Sequence, residues 1–575
     1  SKNKNLGTES GYQLRESNWN STELESMREK ICSGVSVSDR TTAGGECEKR
    51  MLWLLGKRNV AEPQQGGDEN ERWSVGDVLH SSPSIITYHA SDTAGSSKFV
   101  DKVIFGTNAG MLHMINGSSG KEEWRYLPSD FWGMQRQLFD NPQDQHSYGI
   151  DGTPTLWVCD KNDDGKIQAD GDRNITTLGD KTCGAAAKDY VRAIVSTRRG
   201  GGEDGFIYAI DLSKTITDNQ GTVAPKFMWR IRSRDEGFDR LGQAWSDPIL
   251  TTIMVDKGNG PFAKDVLIFG GGYDPKLDES SEKLFTKSEN EGNDFLGNAV
   301  YIVDPMTGKK ILSISGDSSD ADLKVTDMSF SIPSKIAILD SNSDGLTDRL
   351  YFGDTGGQVW RVDLAQIVPM TGDRKAGTFI GKLADISGAG KADRRRFFEP
   401  PSVVQVTDTS GFSQSEEYDL VLMGTGNRPD PLAETVNDNF YGFRDTKIGA
   451  NELKSDGDSD NVSGEGDGYP NADHKPFTHE NLVNVTQKGL GELDKDAVSK
   501  ANGYFFSFSE ANSGRPGEKM LSRPLTAAGS VVFTTFDPVA QEATQNQTQN
   551  TTQNQTNQGN QTAAQAQSND PCNAA

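Results

Sequence analysis

Apolar residues in this chain fall in short runs separated by Gly, Asp, Asn and Pro, and the runs return in a fixed order. Each unit opens on a small-residue and Pro segment. An apolar strand ending in Gly comes next, then a strand ending in Asp or Asn, and commonly a Gly-Lys turn into a fourth strand. The first unit uses residues 81–86, 103–107, 111–116 and 120–126. The second uses 151–157, 191–197, 205–211 and 226–230, and the third 245–250, 266–272, 299–304 and 308–312. The fourth covers 332–338, 350–354 and 357–363, and the fifth 400–404, 420–426 and 440–445. A partial sixth unit is expected at 503–508 and 517–521, and a last at 522–526 and 531–536. About six or seven four-stranded units in series predict an all-β fold of the β-propeller kind. The strand-ending glycines predict places where backbones pass closely. Trp124, Trp229 and Trp360 are expected to pack between units.

The flanks break the pattern. Residues 1–72 form an N-terminal segment with two short helices expected around Ser21–Ile31 and Glu46–Leu55. The strand-rich domain is expected over 73–540, interrupted by a polar, acidic insertion at 446–502. Residues 541–575 hold a Gln/Asn/Thr-rich tract with little to bury, which predicts disorder, and a truncated last blade.

Charge and cysteine usage narrow the function classes. The 575 residues carry a net charge of −24, which disfavours nucleic acid and anionic membranes as partners. The mean hydropathy is −0.63, and no run approaches the ~20 apolar residues of a membrane span. Five cysteines occur without a CxxC or Cys/His cluster, which argues against zinc. Cys32 and Cys47 bracket one short segment and Cys159 and Cys183 another, and both pairs read as local disulfides of an exported protein, free buried thiols being the alternative. Cys572 is left over, and the chain does not open on Met, so both ends read as cut from a longer precursor.

The chemistry concentrates in Asp340-Ser-Asn342-Ser-Asp344-Gly345-Leu346-Thr-Asp348. Oxygen-bearing side chains fall at positions 1, 3, 5 and 9, a glycine takes the bend at 6, and the Leu346 carbonyl stands at 7. That spacing suits one hard cation, calcium. The loop is not an EF-hand: position 12 is Tyr351, and the sequence runs on into a strand. The competing reading is an acidic hairpin loop of Asx turns. A second loop, Asp160, Asn162, Asp164, Gly165 and Lys166, repeats the spacing, with Gln168 at position 9 and Asp170 or Asp172 as the closing ligand. A third cation is conceivable at Asp456-Gly-Asp458-Ser-Asp460, against a plain solvated loop. No Gly-x-Ser-x-Gly elbow or His-Glu-x-x-His helix is present. Arg199-Gly-Gly-Gly202 and Gly270-Gly-Gly272 lack the Lys-Ser/Thr of a P-loop.

Several segments resemble the PilY/PilC family of type IV pilus biogenesis factors and pilus-tip adhesins. They are Val75–Pro83, Asp340–Asp348 with the Arg-Leu-Tyr-Phe-Gly-Asp-Thr-Gly-Gly after it, Leu422–Asn427, Gly517–Pro524 and residues 532–536. The resemblance implies a modified seven-bladed, quinoprotein-like propeller. It implies calcium on Asp340, Asn342, Asp344, the Leu346 carbonyl and Asp348. It also implies a non-enzymatic factor at the cell surface or pilus tip, outer-membrane associated. Such a factor regulates pilus extension and retraction and surface attachment. Its partners would be minor pilins, the pilus machinery and a host-cell receptor. The alternative is a quinoprotein-like dehydrogenase, although the vicinal cysteine pair of those enzymes is missing.

Overall fold

The computed structural model describes residues 19–57, 74–91, 97–141, 146–168, 189–213, 225–276, 296–316, 320–408, 416–448, 476–487 and 501–538, single positions aside, with two short strands before residue 15. The protein is mostly β with few helices. Five four-strand antiparallel meanders succeed one another along the chain. Sheet I holds Ser84–Ser91, Ser97–Gly106, Leu112–Asn116 and Glu122–Tyr126. Sheet II holds Thr155–Cys159, Tyr190–Ser196, Phe206–Asp211 and Lys226–Arg232. Sheet III holds Ile249–Asp256, Pro261–Gly270, Ala299–Val303 and Lys310–Ser315. Sheet IV holds Ala337–Leu339, Arg349–Gly353, Gln358–Asp363 and Phe379–Asp385. Sheet V holds Ser402–Asp408, Glu416–Gly424, Asn439–Asp445 and Gly503–Ser507.

The inner strands are apolar on both faces because both faces are covered. Every residue of Tyr190–Ser196, Phe206–Asp211, Ala299–Val303 and Arg349–Gly353 is buried. Each of the five larger hydrophobic cores among the described residues is shared by two consecutive units. One joins sheets I and II, the next II and III, then III and IV, IV and V, and finally sheet V and the hairpin Leu525–Ala527/Ser530–Val532. The register between third and fourth strands slips at one place in each of sheets I to IV, at Met114/Ile115, Ala209/Ile210, Ile302/Val303 and Val359/Trp360. The sequence repeat is thus a repeat of local geometry, down to the bulge.

The glycines ending the second strands sit where neighbouring sheets meet. A Cβ on Gly106 would lie 2.3 Å from the Ile150 carbonyl oxygen, and one on Gly270 2.5 Å from that of Ile332. Each of those contacts is made with the segment leading into the next sheet. Trp229 spans such a seam: its indole N–H donates to the Pro305 carbonyl at 2.9 Å, joining sheets II and III. Trp124 and Trp360 are also buried.

One expected element belongs elsewhere. The strand Gly503–Ser507 pairs with Asn439–Asp445, Phe440 facing Phe506, and closes sheet V as its fourth strand. It does not open a sixth unit. The long insertion between the two strands hides their pairing from any reading of local spacing. Residues 517–521 contribute only the bridge Lys519–Phe536. The described residues therefore hold five sheets, each built on a four-strand meander and three of them extended by short extra strands, and one two-strand hairpin.

At the N-terminus, helices Glu25–Ile31 and Glu46–Leu54 are joined by the Cys32–Cys47 disulfide. They add their apolar faces to the core of sheet I, and Arg125 of its fourth strand donates to the Leu54 carbonyl at 3.0 Å. No described helix is long and apolar enough to cross a membrane.

Candidate metal centre

The loop 340–348 connects the first two strands of sheet IV. Its bend uses left-handed backbone at Ser343 (φ +61°) and Gly345 (φ +86°). This brings position 1 over positions 5 and 6. The Asp340 carboxylate accepts from the Asp344 N–H at 3.1 Å and the Gly345 N–H at 2.7 Å. Asp344 accepts from the Leu346 N–H at 2.8 Å and from the Asn342 side-chain amide at 3.1 Å. Three of the four expected side-chain ligands, Asp340, Asn342 and Asp344, are thereby gathered at the bend. Asp348 is engaged with position 2 of the same loop. Its carboxylate accepts from the Ser341 N–H at 2.9 Å and the Ser341 hydroxyl at 2.7 Å. Among the described residues, no group of three or more His, Cys, Asp and Glu side chains is assembled to hold a metal ion. The Asx-turn bonds of the competing reading are present, and the same oxygens keep lone pairs for a cation.

The second loop repeats three of these bonds. Left-handed residues stand at the same positions, Asp163 (φ +54°) and Gly165 (φ +74°). The Gly165 N–H donates to Asp160 at 2.6 Å, the Lys166 N–H to Asp164 at 2.9 Å, and the Asn162 amide to Asp164 at 3.0 Å. The expected closing residues Asp170 and Asp172 lie outside the described residues, as do Cys183 and the 456–460 cluster. Cys159 itself is disulfide-bonded.

Both loops are docked in the same way, which the sequence does not announce. At position 8, the Thr347 N–H donates to the Thr252 carbonyl at 2.9 Å and its hydroxyl meets Thr251 at 2.6 Å, on the first strand of sheet III. At position 8 of the second loop, Ile167 pairs with Tyr88 on the first strand of sheet I. Each loop thus leaves its own sheet and lies against the first strand of the preceding one.

The first loop runs on into a charged strand. Asp348 is succeeded by Arg349, whose side chain is 4 % exposed and enters an ionic cluster between sheets IV and V. Arg349 binds Asp419 at 2.7 Å and Asp363 at 3.0 Å. Arg361 binds Asp363 at 2.6 Å and Asp445 at 3.0 Å. The Tyr351 hydroxyl lies 2.9 Å from Asp419 and 2.8 Å from Asp445. Burial and Arg361 oppose the charge on Arg349, and Tyr351, Asp363 and Asp419 outweigh them and hold its pKa above the ordinary arginine value. Sequence reasoning missed Ser341 and this cluster. The one available signal was an Arg inside an otherwise apolar strand.

No protein-family model matches the chain. A type IV pilus biogenesis factor PilY1 homolog of Xylella fastidiosa is 26% identical over 275 residues, 47% of this chain and 14% of that protein. The type IV pilus biogenesis factor PilY1 of Pseudomonas aeruginosa is 22% identical over 550 residues, 85% of this chain and 39% of that protein. This chain therefore spans well under half the length of either relative. The crystal structure of the P. aeruginosa PilY1 C-terminal domain aligns with 76% of this chain and 76% of its own, at 20% identity and a TM-score of 0.46. On these sequence matches the chain is a homologue of the type IV pilus biogenesis factor PilY1.

Proposed function

We propose that this chain belongs to a calcium-dependent, non-enzymatic type IV pilus biogenesis factor and tip-associated adhesin, which regulates pilus extension and retraction and surface attachment. The observation that carries the reading is an oxygen-rich bend, 340–348, joined directly to a buried ionic cluster in a PilY1 homologue. The protein is exported to the cell surface and outer membrane, and its partners are minor pilins, the pilus machinery and a host-cell receptor.

Calcium would rest on Asp340, Asn342, Asp344, the Leu346 carbonyl and Asp348, with a second site on Asp160, Asn162, Asp164, Lys166, Asp170 and Asp172. The ion supplies two positive charges to a loop carrying three carboxylates. Asp348 gives up Ser341 to join the ligand set. Because Arg349 is its neighbour, that turn reaches the seam between sheets IV and V. An extracellular site of this kind has a Kd of about 10⁻⁴–10⁻³ M. The strand-rich region 73–540 is read as a modified seven-bladed, quinoprotein-like propeller. The serial sharing of cores between neighbouring sheets supports that reading.

Calorimetry on the wild type and an Asp340→Ala/Asp348→Ala variant tests the metal assignment; equal calcium binding by the two overturns it. Deleting the gene in the producing bacterium tests the pilus reading. Undiminished surface pili in the deletion strain overturn that reading and leave the metal assignment standing.

A further inference from the structure

A cavity of about 420 Å³ lies where the two ends of the sheet series converge. Leu79 and His80, which lead into sheet I, face Thr534–Phe536, which come after the final hairpin. Sheets II, III and V reach it through Arg198, Arg199, Trp245 and Arg428. The chain carries a net charge of −24, yet this cavity is lined by three arginines and one carboxylate, Asp151.

Most of these charges are already satisfied. Asp151 holds His80 at 2.6 Å, Arg198 holds Asp247 at 2.8 Å, and Arg428 pairs with Glu399. Arg199 is different. Among the described residues it pairs with no carboxylate. Its guanidinium lies 5.2 Å from the Tyr148 ring centre and 5.0 Å from that of Trp245, and one N–H reaches the Tyr148 hydroxyl at 3.2 Å. Two rings lie beside the group, and among the described residues its remaining donors meet no acceptor. The turn that carries it is rigid. Arg198 takes left-handed backbone (φ +47°), and a Cβ on Gly200 would fall 1.7 Å from the Gly149 carbonyl oxygen. A further cation, Lys335, lies within electrostatic reach of Arg198 and Asp247. Burial first, then Arg523 and Arg198, depress its pKa against the pull of Asp247. The rest of the wall is apolar: Leu79, Pro429, Pro431, Leu521 and Phe536.

We propose that this cavity binds a carboxylate carried on a small apolar body, with Arg199 as the carboxylate's partner and the proline, leucine and phenylalanine side chains around the body. A planar guanidinium held between two rings presents a two-donor edge that matches a carboxylate in its own plane. An apolar pocket with a few fixed polar groups is the ordinary form of a small-ligand site. The carboxylate could belong to a free aromatic acid or to the C-terminus of a peptide, and Arg199 would meet either in the same way.

The test titrates the full chain by calorimetry with 2-naphthoate and its neutral isostere 2-naphthamide, and with N-acetyl-phenylalanine and its amide. At least one acid is expected to bind, each binding acid at least tenfold more tightly than its amide. Binding by 2-naphthoate alone marks a free aromatic acid as the source, by N-acetyl-phenylalanine alone a peptide terminus, and by both a site that reads the carboxylate itself. Arg199→Met is expected to abolish the acid-over-amide preference. Leu521→Trp, which fills the cavity and leaves Arg199 in place, is expected to abolish binding altogether, with both variants checked for unchanged circular dichroism. Binding of neither acid, equal binding of acid and amide, or full acid binding by Arg199→Met overturns the proposal.

Discussion

The loops at 160–168 and 340–348 have one bend and two anchorages. In both, the position-6 N–H donates to position 1, the position-7 N–H to position 5 and the position-3 amide to position 5, and position 8 lies against the first strand of the preceding sheet. The anchorages differ. The sheet IV loop runs straight into Arg349 and the charge cluster facing sheet V, whereas the sheet II loop is tied by the disulfide of Cys159 and by the Lys161 N–H to Asp189 at 3.0 Å. The difference teaches that the bend by itself is a local sequence property, while any influence on the rest of the molecule depends on what comes after it. A loop attached to a covalent tether changes itself. A loop attached to a charged seam changes the contact between two sheets.

Four tests set the loops against each other, in descending order of effect. Arg349→Met leaves the fully buried Asp419 without its cationic partner and is expected to cost about 3–5 kcal/mol, read from denaturant unfolding. An unchanged midpoint would mean that the cluster is no anchor. Cys159→Ser, the corresponding cut at the other loop, is expected to cost roughly 2–4 kcal/mol in the same measurement. Third, calcium at 100 times its Kd is expected to stabilise the wild type by about 2.7 kcal/mol, and Asp340→Ala to remove most of that gain. Asp160→Ala should remove much less, and equal losses would erase the distinction between the loops. The smallest effect is expected from Ser341→Ala. It frees Asp348 from the hydroxyl bond and should tighten calcium binding several-fold, by about 1 kcal/mol, in calorimetry. Weaker binding would show that Ser341 positions Asp348 for the ion.

Much of this was legible in the chain. The strand-ending glycines and the Asp or Asn closing each third strand marked out the first four sheets, because those features are set by near neighbours in sequence. The bends of both loops were readable for the same reason: Asp-x-Asn-x-Asp-Gly determines its own hydrogen bonds. The fourth strand of sheet V was misplaced because its partner lies across the 446–502 insertion. The docking of Thr347 on Thr252 and of Ile167 on Tyr88 was invisible, since it depends on how one sheet is set against another. In the sequence Arg199 is only the start of a glycine run. Its significance comes from Tyr148 and Trp245, which stand about fifty residues away on either side.

Among the described residues, each of the five larger cores is held in common by two consecutive units, and none of these lies within a single sheet. A lone sheet cut from the middle would present two bare oily faces to water, so no such fragment should fold by itself. Structure must then grow by addition of neighbours, each newcomer covering the face that the last one left open. A nick inside a loop leaves every shared face covered, whereas removing one whole sheet uncovers two. Insertions as long as 446–502 can therefore accumulate between strands of one sheet, while the number of sheets is far harder to change.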